Sequence, residues 1–175
     1  SEIEFASRYF EGEIIAITGS NGKTTTTSLI YHILKTANKN VGVAGNIGTS
    51  FARQVADGQS EVMVLELSSF QLDGIQNFRP NVAVLLNISP DHLDRYNYEY
   101  DKYKASKFRI IKNQNSEDVF VYNNSDKGIE SYISNVEIKA KKLPLGLLSG
   151  QHSEFDNLLI KGEHNLQNAK CAWLA

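Results

Sequence analysis

Short apolar runs alternate with longer stretches of helical periodicity over most of the chain. Runs of three to five apolar residues, typical of buried strands, occupy 14–17, 41–44, 62–65, 82–86 and 119–121. Apolar residues at helical spacing predict a helix over 24–38 and another over 98–111. The alternation predicts an α/β fold in which helices flank a mostly parallel sheet.

The pattern changes near the end of the chain. Short β-rich pieces with Gly and Pro between them occupy 136–164, and we expect a small antiparallel β extension there. Leu166, Ala169 and Trp173 then follow helical spacing, and neither Gly nor Pro stops this pattern before Ala175. We therefore expect the chain to be one part of a longer polypeptide.

Composition narrows the classes of partner. The chain has 175 residues, 41% of them apolar, which suits one soluble domain. Its 18 basic and 20 acidic residues create no basic field for nucleic acid, so an anionic ligand must be bound by local groups. Cys171 is the only cysteine, which favours the cytoplasm, and no apolar run is long enough to cross a membrane.

The sequence "GSNGKT" at 19–24 lies between a predicted strand and a predicted helix. Glycine backbone N–H groups, the Lys23 cation and the helix N-terminus suit a phosphate group, and the Thr24 hydroxyl suits Mg²⁺. The strict phosphate-loop pattern fails because Ile17 stands where its first glycine is required. The alternative is a glycine-rich turn with hydroxyl caps. Neither interpretation explains Thr26 and Thr27.

Three polar residues follow predicted strands at the carboxyl end of the sheet, where ligands of open α/β sheets bind. Glu66 follows the third strand and is either a Mg²⁺ ligand or a solvated carboxylate. Asn46, in "GNIG", is either a ligand contact or a turn residue. His92 lies in "SPDHLDRY", where the residues alone favour a turn in which Asp91 or Asp94 caps the next helix.

Six segments in order resemble motifs of the Mur ligases, ATP-dependent enzymes that add amino acids to the peptidoglycan precursor, and of their relative folylpolyglutamate synthase. They are "TGSNGKTTT" (18–26), "GNIGTS" (45–50), "LELSSFQL" (65–72), "NISPDHLDRY" (87–96), "YKASKFRI" (103–110) and "GEHNLQN" (162–168). Ser20 stands where threonine is commoner in the family. The "ELSSFQL" form resembles the member that adds D-glutamate.

The resemblance implies specific roles. It implies nucleotide binding by Gly19, Ser20, Asn21, Gly22, Lys23, Thr24, Thr25, Asn165 and Asn168, with Asn168 near adenine. It implies two Mg²⁺ sites that involve Thr24, Glu66, His92 and Lys107, and substrate contacts by Asn46 and Ser68. Lys23, Glu66, His92 and Lys107 are the implied catalytic set.

Lys107 lies on a helical stripe with Tyr100, Tyr103 and Ile110, where the residues alone favour a snorkelling lysine or a salt bridge. The second lysine of the similar family segment is carbamylated by CO₂, so the resemblance implies a carbamate on Lys107.

The implied reaction adds D-glutamate to UDP-N-acetylmuramoyl-L-alanine with ATP, through an acyl phosphate. Residues 1–175 then form the central ATP-binding domain, incomplete at its C-terminal end, of a cytoplasmic monomer whose UDP-binding and amino-acid-binding domains lie outside this chain. The alternatives are a folylpolyglutamate synthase-like ligase and a nucleotide-binding switch such as a GTPase. We find no N-K-x-D segment for guanine, which disfavours a GTPase.

Overall fold

A single parallel sheet forms the centre of the molecule. The computed structural model describes residues 1–58, 60–91, 93–148, 155, 158–159 and 161–175. The strands are β1 (Glu13–Thr18), β2 (Val41–Gly45), β3 (Val62–Glu66), β4 (Val82–Leu85), β5 (Val119–Tyr122) and β6 (Lys141–Pro144). They lie in the order β2-β3-β1-β4-β5-β6, and each pair of neighbours is parallel. The five predicted strands and the α/β class are confirmed.

Helices cover both faces of the sheet. They are α1 (Glu2–Ala6), α2 (Lys23–Thr36), α3 (Phe51–Asp57), α4 (Ser69–Asp73), α5 (Tyr100–Phe108), α6 (Lys127–Ile133) and α7 (Glu163–Leu174). Successive residues of β1 face opposite layers: Ala16 packs in the core beneath α1, α3, α4, α5 and α6, whereas Ile17 packs beneath α2 and α7. Both faces of β1 are therefore buried, as the continuous apolar run predicts.

The region after β5 differs from the prediction. Helix α6 returns the chain across the sheet, and β6 then pairs in parallel with β5, with Leu143 opposite Val121. The expected antiparallel arrangement is therefore wrong at β6. In "EFDNLLIKG", the other part of the expected extension, Glu154, Asp156, Asn157 and Ile160 lie outside the described residues.

The second predicted helix begins two residues late. Asn97 and Tyr98 have φ values of 55° and 59°, so both lie in the left-handed region and cannot form the first turn. Helix α5 begins at Tyr100, and a 3₁₀ turn extends it to Ile111. Helix α7 confirms the helical spacing of Leu166, Ala169 and Trp173. Among the described residues, no helix has the length and apolar character needed to cross a membrane.

A buried carboxylate joins α1 to the loop after α4. Glu4 is 5% exposed, and its Oε2 accepts the backbone N–H groups of Gln76, Asn77 and Phe78 at 2.9–3.0 Å. Burial raises the pKa of Glu4, but these three hydrogen bonds and that of Arg8 outweigh burial and lower the pKa to about 2. The charged carboxylate therefore stabilises this corner of the fold.

Candidate active site at the carboxyl end of the sheet

The loop between β1 and α2 is the centre of the candidate site. Gly22 precedes α2 with a φ of 83°, a left-handed conformation that favours glycine. A Cβ at this position would collide with the side-chain amide of Asn168. Gly22 is therefore required both by its backbone conformation and by the close approach of α7.

The Ser20 hydroxyl joins this loop to the neighbouring segments by hydrogen bonds. Its hydroxyl donates to the carbonyl of Ser89 at 2.9 Å and accepts the N–H of Ser89 at 3.0 Å. The Tyr103 hydroxyl lies 2.9 Å from the Ser20 oxygen. Because the Ser20 proton is already donated to Ser89, Tyr103 is the donor in this pair. The loop is thus held from α5 and from the segment after β4.

Two lysines converge on one carbonyl of the loop. Lys23 Nζ donates to the carbonyl oxygens of Gly19 at 2.8 Å and Ser20 at 2.9 Å. Lys107 Nζ donates to the same Gly19 oxygen at 2.9 Å, and Lys107 is only 2% exposed.

Burial and neighbouring charges change the pKa of both lysines. Burial, together with the charge of Lys23, lowers the pKa of Lys107 to about 7, while Asp91 acts in the opposite direction. Burial also lowers the pKa of Lys23, and the charges of Glu66 and Asp91 oppose that change. A substantial fraction of Lys107 is therefore a neutral amine near neutral pH.

Glu66 lies at the end of β3, beside the first turn of α2. It is 2% exposed, and its carboxylate accepts the Thr24 hydroxyl at 2.8 Å and the Asn46 side-chain amide at 2.9 Å. Its carbonyl accepts the Asn46 N–H at 2.8 Å. Within the part of the chain that the structure describes, Glu66 has no ion pair within 4.0 Å. The predicted residues Thr24, Asn46 and Glu66 thus meet in one hydrogen-bonded cluster, in which Glu66 is buried and Thr24 and Asn46 are exposed.

Other predicted residues have local partners. Ser68 begins α4 and forms a capping box with Gln71, so its hydroxyl is engaged in the helix start. Asn165 donates to the carbonyl of Lys161 at 2.9 Å. His92 lies outside the described residues. Over the described ranges, no group of three or more His, Cys, Asp or Glu side chains is arranged to hold a metal ion.

A cleft of about 700 Å³ lies between the loop, α7 and the segment after β5. Its lining includes the predicted residues Asn21, Gly22, Thr25, Asn165 and Asn168. Sequence reasoning missed Asn123, Ser125 and Asp126, which follow β5, and Gln167 of α7. The available signal was the position of Asn123, a polar residue two positions after a predicted strand at the same end of the sheet.

Comparison with known families defines the class of the chain. The family described as "Mur ligase middle domain" matches residues 17–147, which run from the end of β1 through β6. The chain therefore belongs to the Mur ligase family.

Curated relatives share one name. UDP-N-acetylmuramoylalanine–D-glutamate ligase of Bacteroides fragilis is 47% identical over 194 residues, which cover 100% of this chain and 44% of the relative. The ligase of that name from Cytophaga hutchinsonii is 53% identical over 149 residues, covering 84% of this chain and 33% of the relative. The chain thus spans less than half the length of these relatives.

Solved structures share the fold. MurF ligase from Thermotoga maritima, in complex with ADP, matches with a TM-score of 0.63 and 26% identity, over 82% of this chain and 35% of that one. FolC from E. coli, in complex with DHPP and ADP, matches with a TM-score of 0.69 and 16% identity, over 99% of this chain and 56% of that one.

Proposed function

We propose that this chain is the central ATP-binding domain of a ligase that joins D-glutamate to UDP-N-acetylmuramoyl-L-alanine. The cluster at the carboxyl end of the sheet, with Lys23, Thr24, Glu66 and Lys107 around one loop, is the observation that carries the proposal. The shared name of the curated relatives supports the choice of substrates. The UDP-binding and amino-acid-binding domains lie outside residues 1–175 in this proposal, and the cytoplasmic monomer stays a prediction.

The loop and the cleft provide the nucleotide site. Gly19, Ser20, Asn21, Gly22, Lys23, Thr24 and Thr25 would surround the phosphates, while Asn165 and Asn168 would approach the nucleoside. The cleft joins Asn21, Gly22 and Thr25 to α7, which supports this assignment. Lys23 would exchange the carbonyls of Gly19 and Ser20 for phosphate oxygens, since an ammonium binds a charged acceptor more strongly than a neutral one.

The residues around Glu66 fit a Mg²⁺ ion. A carboxylate and a hydroxyl are hard oxygen donors, and Mg²⁺ sites in nucleotide enzymes use one or two carboxylates together with phosphate oxygens. Glu66 is buried and has no ion-pair partner in the described part of the chain. A bound cation would therefore compensate the negative charge of its carboxylate. Thr24 and Glu66 would hold the ion, which when bound neutralises phosphate charge.

Lys107 would carry a carbamate that binds a second Mg²⁺ together with His92. A neutral amine attacks CO₂, an N–C bond forms, and one proton is released. The burial of Lys107 and its lowered pKa favour this neutral amine. Modification would replace a second cation beside Lys23 with an anion, which removes the repulsion between the two ammonium groups.

The reaction brings two anions together. The substrate carboxylate attacks the γ-phosphorus of ATP and ADP leaves; the amine of D-glutamate then attacks the acyl phosphate, phosphate leaves, and the amine loses a proton. Lys23 would bind the phosphates and reduce their charge. Asn46 and Ser68 would lie beside the reacting carboxylate, Asn46 through its amide next to Glu66.

Nucleotide titration tests the proposal against a switch protein. We expect Mg²⁺-ATP to raise the melting temperature of this chain more than Mg²⁺-GTP does, because solved proteins of the same fold bind ADP. A clear preference for GTP would contradict the ligase assignment.

Ligation assays test the domain assignment. We expect this chain alone to form no amide bond at saturating substrates, since the remaining substrate groups would bind to other domains. Measurable ligation by the purified chain would overturn that assignment. In the full-length protein, stabilisation by a folate but not by the muramoyl nucleotide would favour the folylpolyglutamate synthase alternative.

A variant at Lys107 tests the carbamate in the full-length enzyme. We expect Lys107→Ala to lower phosphoryl transfer far more than stability, and depletion of bicarbonate to slow the unchanged enzyme. Full activity of the alanine variant would eliminate the role.

A further inference from the structure

Asn87, two residues after the end of β4, pairs with the phosphate loop through both its side chain and its backbone. The side-chain oxygen accepts the N–H of Asn21 at 2.9 Å, and the side-chain amide donates to the carbonyl of Asn21 at 3.0 Å. The backbone carbonyl of Asn87 accepts the N–H of Ser20 at 3.0 Å. One residue thus satisfies three polar groups in two consecutive loop residues.

The geometry specifies an amide at this position. The Asn21 backbone presents a donor and an acceptor together, and a side-chain amide is complementary to both. The reverse orientation of the Asn87 amide would place donor against donor and acceptor against acceptor. The arrangement imitates the pairing of two strands and extends the contact between β1 and β4 beyond their last paired residues, Thr18 and Leu85.

We propose that Asn87 is a positioning residue that holds the phosphate loop in its binding conformation before the nucleotide arrives. This inference rests on the proposed nucleotide site. Asn87 acts through Ser20 and Asn21, whose backbone leads into the left-handed Gly22 and the start of α2. A loop that is ordered in advance loses less conformational freedom when the phosphates bind, so affinity for the triphosphate rises.

The chain offers a matched control. Asn81, directly before β4, accepts the N–H of Ile14 at 2.9 Å through its side-chain oxygen. Asn81 therefore joins the same two strands by a bond of the same type, but at the opposite end of the sheet from the loop. Replacement of Asn81 reports the general cost of such a bond without touching the site.

Hydrogen exchange in the nucleotide-free chain tests the loop directly. We expect Asn87→Ala to increase exchange of the peptide over 19–24 by about tenfold or more, because Asn21 loses both side-chain partners, while the backbone carbonyl at position 87 still accepts the Ser20 N–H. Asn81→Ala should leave that peptide unchanged. Unchanged loop exchange in Asn87→Ala would overturn the inference.

Calorimetry with Mg²⁺-AMP-PNP and with adenosine tests the consequence for binding. We expect Asn87→Ala to weaken AMP-PNP about tenfold or more and adenosine less than twofold, with both affinities of Asn81→Ala within twofold of the unchanged chain. An equal loss for both ligands, or AMP-PNP affinity within twofold, would overturn the positioning role. Failure of the unchanged chain to bind AMP-PNP would overturn the proposed function as well.

Discussion

Glu4 and Glu66 are both buried carboxylates, but their partners differ. Glu4 is 5% exposed and accepts three backbone N–H groups and a contact from Arg8. Glu66 is 2% exposed and accepts a hydroxyl and a side-chain amide. Backbone donors belong to the fold and cannot turn away, whereas the side chains of Thr24 and Asn46 can rotate.

The difference separates a structural carboxylate from a candidate ligand. Glu4 obtains full stabilisation from the folded chain itself, which is why its pKa is lowered to about 2. The partners of Glu66 can be exchanged for a metal ion without unfolding a loop. Burial alone therefore does not identify a functional carboxylate; the kind of donor that satisfies it does.

Lys23→Ala should have the largest effect. We expect the Kd for Mg²⁺-AMP-PNP to rise about 100-fold or more, because a lysine that meets the phosphates contributes a strong charge-assisted contact. Lys35→Ala, an exposed lysine of the same helix, is the control and should leave the Kd within about twofold. Calorimetry measures both, and unchanged affinity in Lys23→Ala would contradict the phosphate role.

Glu4→Gln should destabilise the chain by about 2–3 kcal/mol, since several hydrogen bonds to a charged acceptor become weaker. Glu11→Gln, at an exposed position, should change the free energy of unfolding by less than about 0.5 kcal/mol. Urea denaturation gives both values. Affinity for AMP-PNP should remain within about twofold in each variant, and a larger change in Glu4→Gln would remove the distinction from Glu66.

Glu66→Gln, in contrast to Glu4→Gln, should affect Mg²⁺-dependent binding rather than stability. We expect Mg²⁺ to strengthen AMP-PNP binding about tenfold in the unchanged chain. In Glu66→Gln this effect of Mg²⁺ should disappear, because an amide is a poor Mg²⁺ ligand. Stability should change by less than about 1 kcal/mol, since a buried charge is removed while its partners keep an acceptor. Retention of the Mg²⁺ effect, measured by calorimetry with and without Mg²⁺, would exclude Glu66 as a ligand.

Acid should weaken the Glu4 corner. Its pKa is lowered from 4.5 to about 2, so its contribution to stability is complete above pH 4.5 and is lost as the pH falls towards 2. By pH 3.5 we expect a loss of about 1.4 kcal/mol in the unchanged chain and a smaller loss in Glu4→Gln. Equal acid dependence of the two proteins in urea denaturation would show that another group is responsible.

Arg8→Ala should have the smallest effect. The Arg8 side chain is 55% exposed and lies 3.3 Å from Glu4, so its ion pair is screened by water. We expect a loss of about 0.5 kcal/mol in thermal or urea unfolding. A loss as large as that of Glu4→Gln would mean that Arg8, rather than the backbone donors, stabilises the carboxylate.

The sequence was sufficient to predict the first five strands of the sheet and the residues that cluster at their carboxyl ends. Continuous apolar runs predict strands that are buried on both faces, and the confirmed parallel order brings the residues after β1, β2 and β3 to one edge. Thr24, Asn46 and Glu66 therefore meet as expected.

Other features depend on the route of the chain. The parallel direction of β6 follows from the crossing of α6, which short apolar runs do not reveal. The convergence of Lys23 and Lys107 on Gly19 joins segments that are far apart in the sequence. Thr26 and Thr27 are fully buried and their hydroxyl oxygens have no hydrogen-bond partner in the described structure, so their selection has no structural explanation.

The central place of β1 also governs when the site can form during folding. Ile15 pairs with Val64 on one side and with Val82 on the other, which are 49 and 67 positions further along the chain. Such distant pairings make a topology slow to fold, because long segments must be ordered before the pairs form. The loop after β1 therefore becomes a binding site only when β3 and β4 are in place, and nucleotide capture in a refolding experiment should appear as one of the last events.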